Sequence, residues 1–248
     1  EESCFLEEWD GALAGYAMVD SELAIGRVVV EGGVAPDHRL RGVGGRLLET
    51  ALQRAHALGA DVVHIAVPED SPESHTFLEH RGFSLNRPYW RMRWQGGKVP
   101  GLTLPPGFSL RSFAPGDEEL LTQVQNAAFA GSWGFCPNTV EEISYQVKLS
   151  RCSPEGILFI ERGNETVAYC WTRIDDNGTE RAGIAWMGGV LPSYRGLALG
   201  KAFLLAGVAY LQSQGVDSIE LPVDEENTQA PKNWLSVGFR KVAETRWY

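Results

Sequence analysis

Basic residues are the scarce charged class in this chain: 22 Lys and Arg stand against 32 Asp and Glu, leaving a formal net charge of −10. No broad positive field exists to attract phosphate backbones, so nucleic acid is not an expected partner. Long apolar runs are missing too. Nothing approaches the roughly 18 uninterrupted apolar residues of a membrane span, and no basic-then-apolar segment opens the chain. The expectation is a cytoplasmic protein without a membrane partner. Cysteine is sparse: Cys4, Cys136, Cys152 and Cys170 lie far apart, with no C-x-x-C and no histidine at zinc-ligand spacing. His75 and His80 do not share one helix face as an i, i+4 metal pair would. Reduced structural thiols and no metal follow. A Walker loop is excluded because no Gly-Lys-Ser/Thr is present.

What is present is ordinary in bulk and unusual in order. With 248 residues, 44% hydrophobic and 22% charged, the chain has room for one large core or two modest ones. An internal repeat decides for two. Gly32-Gly33-Val34-Ala35-Pro36 returns 156 positions later as Gly188-Gly189-Val190-Leu191-Pro192. The same offset carries Arg39 onto Arg195, Gly44 onto Gly200, Gly59 onto Gly215, Asp61 onto Asp217 and Gly82-Phe83 onto Gly238-Phe239.

Each copy predicts the same elements. A β-rich run, from Arg27 to Val30 and from Gly183 to Met187, ends in a Gly-Gly-Val-x-Pro turn. A helix follows, with Val43, Leu47, Leu48, Ala51, Leu52 and Ala55 at helical spacing in one copy and Leu199, Phe203, Leu204, Val208 and Leu211 in the other. Gly59 and Gly215 stop these helices. Strands from Val62 to Val67 and from Ser218 to Val223 come next, then a second helix, Gly-Phe and a last strand. Hairpins precede each copy around Asp10-Gly11 and Gly163-Asn164. The run QGGKVPGLTLPP has no period, and the expected organisation is a domain over 1–96, a linker over 97–106 and a domain over 107–248. The later domain opens with a strand at Phe108 to Ser112 and helices over about Asp117–Phe129 and Val140–Leu149. Their counterparts in the first copy would fall before Glu1, so roughly fifty preceding residues are expected beyond this sequence.

The chemistry lies in the turn. Arg39-Leu40-Arg41-Gly42-Val43-Gly44 and Arg195-Gly196-Leu197-Ala198-Leu199-Gly200 each lead from a strand into an amphipathic helix. Unpaired backbone N–H groups and the positive helix end make such a turn a diphosphate cradle, small residues admit the ligand, and Arg39 and Arg195 add charge. An ordinary helix start is the plain rival for a single copy; repetition in one context argues against it. A Rossmann reading fails because Asp61 and Asp217 precede their strands instead of ending them.

These residues resemble the GNAT acetyltransferase superfamily, whose acyl-CoA motif is a strand ending V-x-P followed by Q/R-x-x-G-x-G/A. The tandem arrangement, with Tyr169-Cys170-Trp171-Thr172 and Asp224-Glu225-Glu226-Asn227-Thr228, is similar to two-domain GNATs of the mycothiol synthase type. The resemblance implies an α/β fold class: two tandem GNAT folds, each a mixed sheet flanked by helices, the first N-terminally truncated. It implies an N-acetyltransferase that moves an acetyl group from acetyl-CoA, its cosubstrate, to an amine of a small molecule. It also implies cofactor contacts at Gly188, Gly189, Val190, Arg195, Gly196, Leu197, Ala198, Leu199, Gly200, Lys201 and Asn227, and at Val34, Arg39, Leu40, Arg41, Gly42, Val43 and Gly44. The strand before the loop should splay from its neighbour so that pantetheine lies against it.

The family's helpers are absent. Where many members carry a Tyr general acid, this chain has Trp234 and Leu78; where many carry a Glu general base, it has Ile184 and Val28. No catalytic pair is assigned, and a non-catalytic acyl-CoA-binding module stays open as the alternative. Glu31 is a candidate base or an exposed strand-end carboxylate. Glu142 has capping-box spacing from Thr139, and Asp175 and Asp176 sit beside a turn. Trp133 and Phe135 either shape an acceptor pocket or pack the core. Asn227 either reaches the cofactor arm or caps a helix, with Ser71 its counterpart. Ala198, in place of the usual Gly, is expected in helical geometry, where a methyl is harmless.

Overall fold

The computed structural model describes residues 3–97, 99, 101–227 and 230–248. Its internal contacts divide the chain into a first unit, Glu1–Arg87 with Thr245–Tyr248, and a second, Pro88–Glu244.

In the first unit, β1 (Cys4–Trp9) and β2 (Ala12–Glu22) form the hairpin at Asp10-Gly11, both at positive φ. β3 (Arg27–Val34) pairs antiparallel with β2, and α1 (Val43–Ala57) leads to β4 (Val62–Pro68), parallel to β3. The apolar spacing of α1 buries Val43, Leu47, Ala51 and Ala55 against Ala14, Ala17, Val28 and Val30, and Gly59 ends the helix at φ 76°. In α2 (Pro72–Glu79), His75 lies between the Tyr248 hydroxyl at 2.9 Å and the Pro68 carbonyl at 3.0 Å. It is a satisfied core histidine. The strand that follows, β5 (Arg87–Trp94), belongs by its contacts to the second unit, whereas the chain's last residues, Thr245–Trp247, pair with β4. Each sheet is thus completed by a strand from the other sequence repeat.

The second unit's sheet runs β6 (Phe108–Ser112), β7 (Ile157–Arg162), β8 (Glu165–Asp176), β9 (Arg181–Val190), β10 (Ser218–Asp224), β5, with only the β9–β10 pairing parallel. α3 (Glu118–Phe129) and α4 (Val140–Gln146) cover one face, packing on Phe159, Tyr169 and Trp171. α5 (Leu199–Ser213) covers the other and is buried along most of its length, then α6 (Ala230–Ser236) and β11 (Phe239–Trp247) close the chain. Phe159, Tyr169 and Trp171 are each 0% exposed, whereas the residues at the matching registers of the first unit, Leu6, Tyr16 and Met18, are 64%, 42% and 48% exposed. Among the described residues, no helix covers that face of the first sheet.

Three local expectations are corrected. Gly32–Val34 and Gly188–Val190 are extended strand, not a turn, because each pairs residue by residue with the preceding strand. The helix opening at Val140 ends at Gln146. Ala198 is left-handed at φ 60°, not helical.

Candidate functional site

Both repeats build the same loop from different residues. The two left-handed positions are Leu40 (φ 60°) and Gly42 (φ 81°) in the first unit, and Gly196 (φ 83°) and Ala198 (φ 60°) in the second. Each loop therefore has one glycine and one strained residue, at opposite places. An L-residue there costs about 1–2 kcal/mol. Ala198→Gly and Leu40→Gly are accordingly expected to raise stability by up to about 1 kcal/mol, after the added chain entropy of glycine is subtracted. Thermal unfolding would check this; a drop in melting temperature for both would contradict it.

The strain serves an arrangement of amides. From Leu40 to Gly45, and from Gly196 to Lys201, six consecutive backbone N–H groups find no acceptor among the described residues. A plain helix start leaves four such groups; the left-handed pair adds two more. Val43 and Leu199, each 1% exposed, anchor the two helix starts in their cores. Lys201 and Leu197 are exposed at the second loop, as Leu40 and Arg41 are at the first. α2, α3 and α4 carry Glu73, Glu118 with Glu119, and Glu141 with Glu142 in their first turns, whereas α1 and α5, like the short α6, carry no acid there. The helix ends that other elements neutralise with their own carboxylates are left here for an external anion. A diphosphate fits that donor set. Arg39 and Arg195 turn back onto the strand: each Nε donates to the carbonyl of Val34 or Val190 at 3.4 Å, and Arg195 Nη2 also reaches the Ala128 carbonyl at 2.8 Å. They brace the loop.

Beside each loop the sheet forks. β3 pairs with β4 only from Arg27 to Val30, and β9 pairs with β10 only from Ala182 to Ile184. Beyond those points Glu31–Val34 and Ala185–Val190 have one free edge, which can take an extended arm as an added strand. Gly188 and Gly189 let both layers close on this edge: a Cβ would lie 2.5 Å from the Phe203 ring at the first and 2.7 Å from Ala128 Cβ at the second.

The two forks differ in one respect. Trp171 pairs with Met187 and Thr172 with Ala185, so Trp186 is an extra, bulged residue in β9; β3 runs opposite β2 without any shift. A bulge bends a strand and re-aims a side chain. Trp186 meets Trp171 edge-on at 5.1 Å, and the Arg173 guanidinium lies 5.1 Å from the Trp186 ring centre. Burial pulls the Arg173 pKa down, partly opposed by Asp175.

Other sequence candidates take structural places. Phe135 stacks on Phe129 at 5.1 Å, while Trp133 lies 6.0 Å from Tyr89, the β5 residue in register with Asp224. Thr139 and Glu142 form the capping box, Asp176 accepts from Gly178 N in the turn, and Glu31 is exposed. Asn227 Oδ1 accepts from Ala230 N at 3.2 Å, a capping bond at the start of α6; Thr228 lies outside the described residues. Trp234 packs against Phe203 at 6.0 Å and Leu78 and Val28 are buried, so none of them supplies an acid or base. Sequence reasoning missed Trp186 and Glu220. The second had a signal, an acid between the apolar residues Ile219 and Leu221 of a core strand.

A cradle of amides, a forked parallel pair and a bulge on the fork coincide in one unit. The family model described as Acetyltransferase (GNAT) family matches residues 1–83 and 119–239. The chain belongs to the GNAT acetyltransferase family. It is 34% identical to a mycothiol acetyltransferase of Stackebrandtia nassauensis, covering 98% of this chain and 78% of that one. It is 35% identical to a mycothiol acetyltransferase of Thermobispora bispora, covering 98% and 80%. Among solved structures, a GCN5-related N-acetyltransferase from Sphaerobacter thermophilus superposes with a TM-score of 0.76 at 26% identity, covering 99% and 79%. A tandem GNAT protein from the clavulanic acid biosynthesis pathway shares the fold, with a TM-score of 0.75 at 17% identity, covering 98% and 81%. The chain is a GNAT N-acetyltransferase, an acyltransferase that moves an acetyl group to a small-molecule amine, built as two tandem GNAT folds; the binding-module alternative is not favoured. Among the described residues, no helix is long and apolar enough to cross a membrane.

Proposed function

We propose that acetyl transfer takes place in the second unit, with acetyl-CoA as donor, and that its acceptor is an amine of the kind met by the mycothiol acetyltransferases. The donor's diphosphate is held by the N–H groups of Gly196–Lys201 and its arm by the free edge of β9 at Gly188–Val190. The observation that carries this reading is the bulge at Trp186, which marks the second fork and not the first. A straight β3 argues that the first unit binds acyl-CoA through Val34 and Arg39–Gly44 without transferring. Cytoplasmic location and the lack of a nucleic-acid partner rest on composition and charge.

In this arrangement an amine nitrogen attacks the thioester carbonyl, and a β9 backbone N–H at the fork is placed to stabilise the oxyanion. The bond to sulfur then breaks; a thiol pKa near about 8.5 makes thiolate a fair leaving group.

Free CoA is the readout. The intact protein with acetyl-CoA is expected to release thiol only when an amine is added, tested with glucosamine, cysteine methyl ester, spermidine and a lysine peptide. Calorimetric binding of acetyl-CoA with no amine-dependent release across the panel would refute the enzyme reading.

A further inference from the structure

We propose that Glu220 is the general base of the transfer. The assignment rests on the second unit being the catalytic one. Ile184 and Glu220 are the last in-register pair before β9 and β10 part, so Glu220 stands at the apex of the fork. On β10, Ile219, Leu221 and Val223 point into the core shared with α5. Alternation along a strand then puts Glu220, Pro222 and Asp224 on the face that α3 and α4 border. The α5 side of the fork is filled by Phe203, Leu205 and their neighbours, so an amine can reach a thioester in the fork only from the Glu220 side.

The carboxylate is held at this place by two arginines of the neighbouring strand. The side chain is 10% exposed and interrupts an apolar strand, which is costly unless the group is used or fully paired. Both oxygens have an arginine partner, but unequally. Arg93 donates from Nε at 2.7 Å, with Nη2 at 2.6 Å, to Oε1, while among the described residues Oε2 has Arg91 Nε at 3.5 Å and no hydrogen bond. One oxygen is anchored and the other keeps its lone pairs. Asp224 shares the face but lies four residues on, about 13 Å along the strand. Asp175 and Asp176 are tied to arginines at the far end of β8. In the first unit the pairs end at Val30 and Ile65, with no carboxylate at the apex.

The step balances. As the nitrogen–carbon bond forms, the ammonium-like nitrogen gives one proton to Glu220; the carbon–sulfur bond breaks, and the thiolate takes up that proton directly or through solvent. The products are an amide and CoA thiol.

The test uses the intact protein and the panel amine that turns over fastest, with acetyl-CoA affinity followed by calorimetry. Glu220→Gln should lower kcat/KM by about a hundred-fold or more while acetyl-CoA affinity stays within about two-fold. Adding Ile184→Glu to that variant returns a carboxylate to the facing position, about 4.8 Å away across the sheet, and should recover at least about ten-fold. Glu220→Asp keeps the ion pair but withdraws the oxygen by one methylene; it should lose about ten-fold or more, whereas a role limited to holding Arg93 predicts near-parental turnover. Near-parental turnover in Glu220→Gln or Glu220→Asp, or no recovery in the double variant while it still binds acetyl-CoA, overturns the assignment. A parent protein without amine-dependent release overturns the functional reading first, and this one with it.

Discussion

Gly200→Leu is expected to lower acetyl-CoA affinity by about a thousand-fold without harming the fold. The nearest atom to a Cβ built at Gly200 is Phe203 Cε1 at 4.0 Å, so the added side chain starts into open space. Leucine is also the better helix former, by roughly 0.5–1 kcal/mol, so the melting temperature should hold or rise. What the side chain does occupy is the space before the free amides of the first turn of α5. Losing two charge-assisted hydrogen bonds at about 1.5–3 kcal/mol each gives the thousand-fold figure. The same change in the first unit separates the roles of the two cradles. A Cβ at Gly44 already touches Val34 Cγ2 at 3.4 Å and the Phe77 ring at 3.8 Å, so the melting temperature of Gly44→Leu is measured beside its binding. The substitution should remove acyl-CoA binding there and leave turnover within about two-fold. Loss of turnover in Gly44→Leu with full activity in Gly200→Leu would move the catalytic assignment to the first unit.

Alkali should destabilise the second unit from about pH 8.5 upward. Cys170 is 1% exposed, and burial pushes its thiol pKa from the ordinary 9.0 up to about 12. Tyr169, 0% exposed, is held well above 10 by burial. An unfolded chain loses these protons near about 8.5 and 10. From there upward the folded state holds more protons than the unfolded one, so stability falls with rising pH. The slope is about 1.4 kcal/mol per pH unit for the thiol, doubling once the phenol joins, and for the thiol it persists until the pH reaches about 12. Urea unfolding between pH 8 and 11 measures this directly. Cys170→Ala should flatten the slope below pH 10 and Tyr169→Phe above it. Because the buried Tyr169 hydroxyl has no hydrogen-bond partner among the described residues, Tyr169→Phe should also cost little at neutral pH. An unchanged slope in Cys170→Ala would contradict the account.

Much of the site could be read along the chain because its parts are local. The hairpins at Asp10-Gly11 and Gly163-Asn164, the helices after Gly42 and Ala198 and the stops at Gly59 and Gly215 each depend on a few neighbouring residues. Backbone amides that lack partners are a property of a helix start, so the cradle too was legible from Arg195 to Gly200. Ala198 was misjudged because its φ is imposed by the loop on both sides, not by its own propensity. Asn227 was ambiguous because one side-chain oxygen suits a cap and a ligand equally; in the fold its Oδ1 accepts from Ala230 N at 3.2 Å.

By itself the sequence determined the repeat, the element order and the two helix-opening loops proposed to bind a diphosphate, since turn chemistry, apolar period and helix starts act over a handful of residues. Tertiary structure alone decided where β9 leaves β10, that Trp186 is an extra residue against β8, that Glu220 faces the fork, and that each sheet borrows its last strand from the other repeat. Those outcomes come from pairing between segments tens of residues or more apart, and a one-residue change of register would turn every side chain to the opposite face.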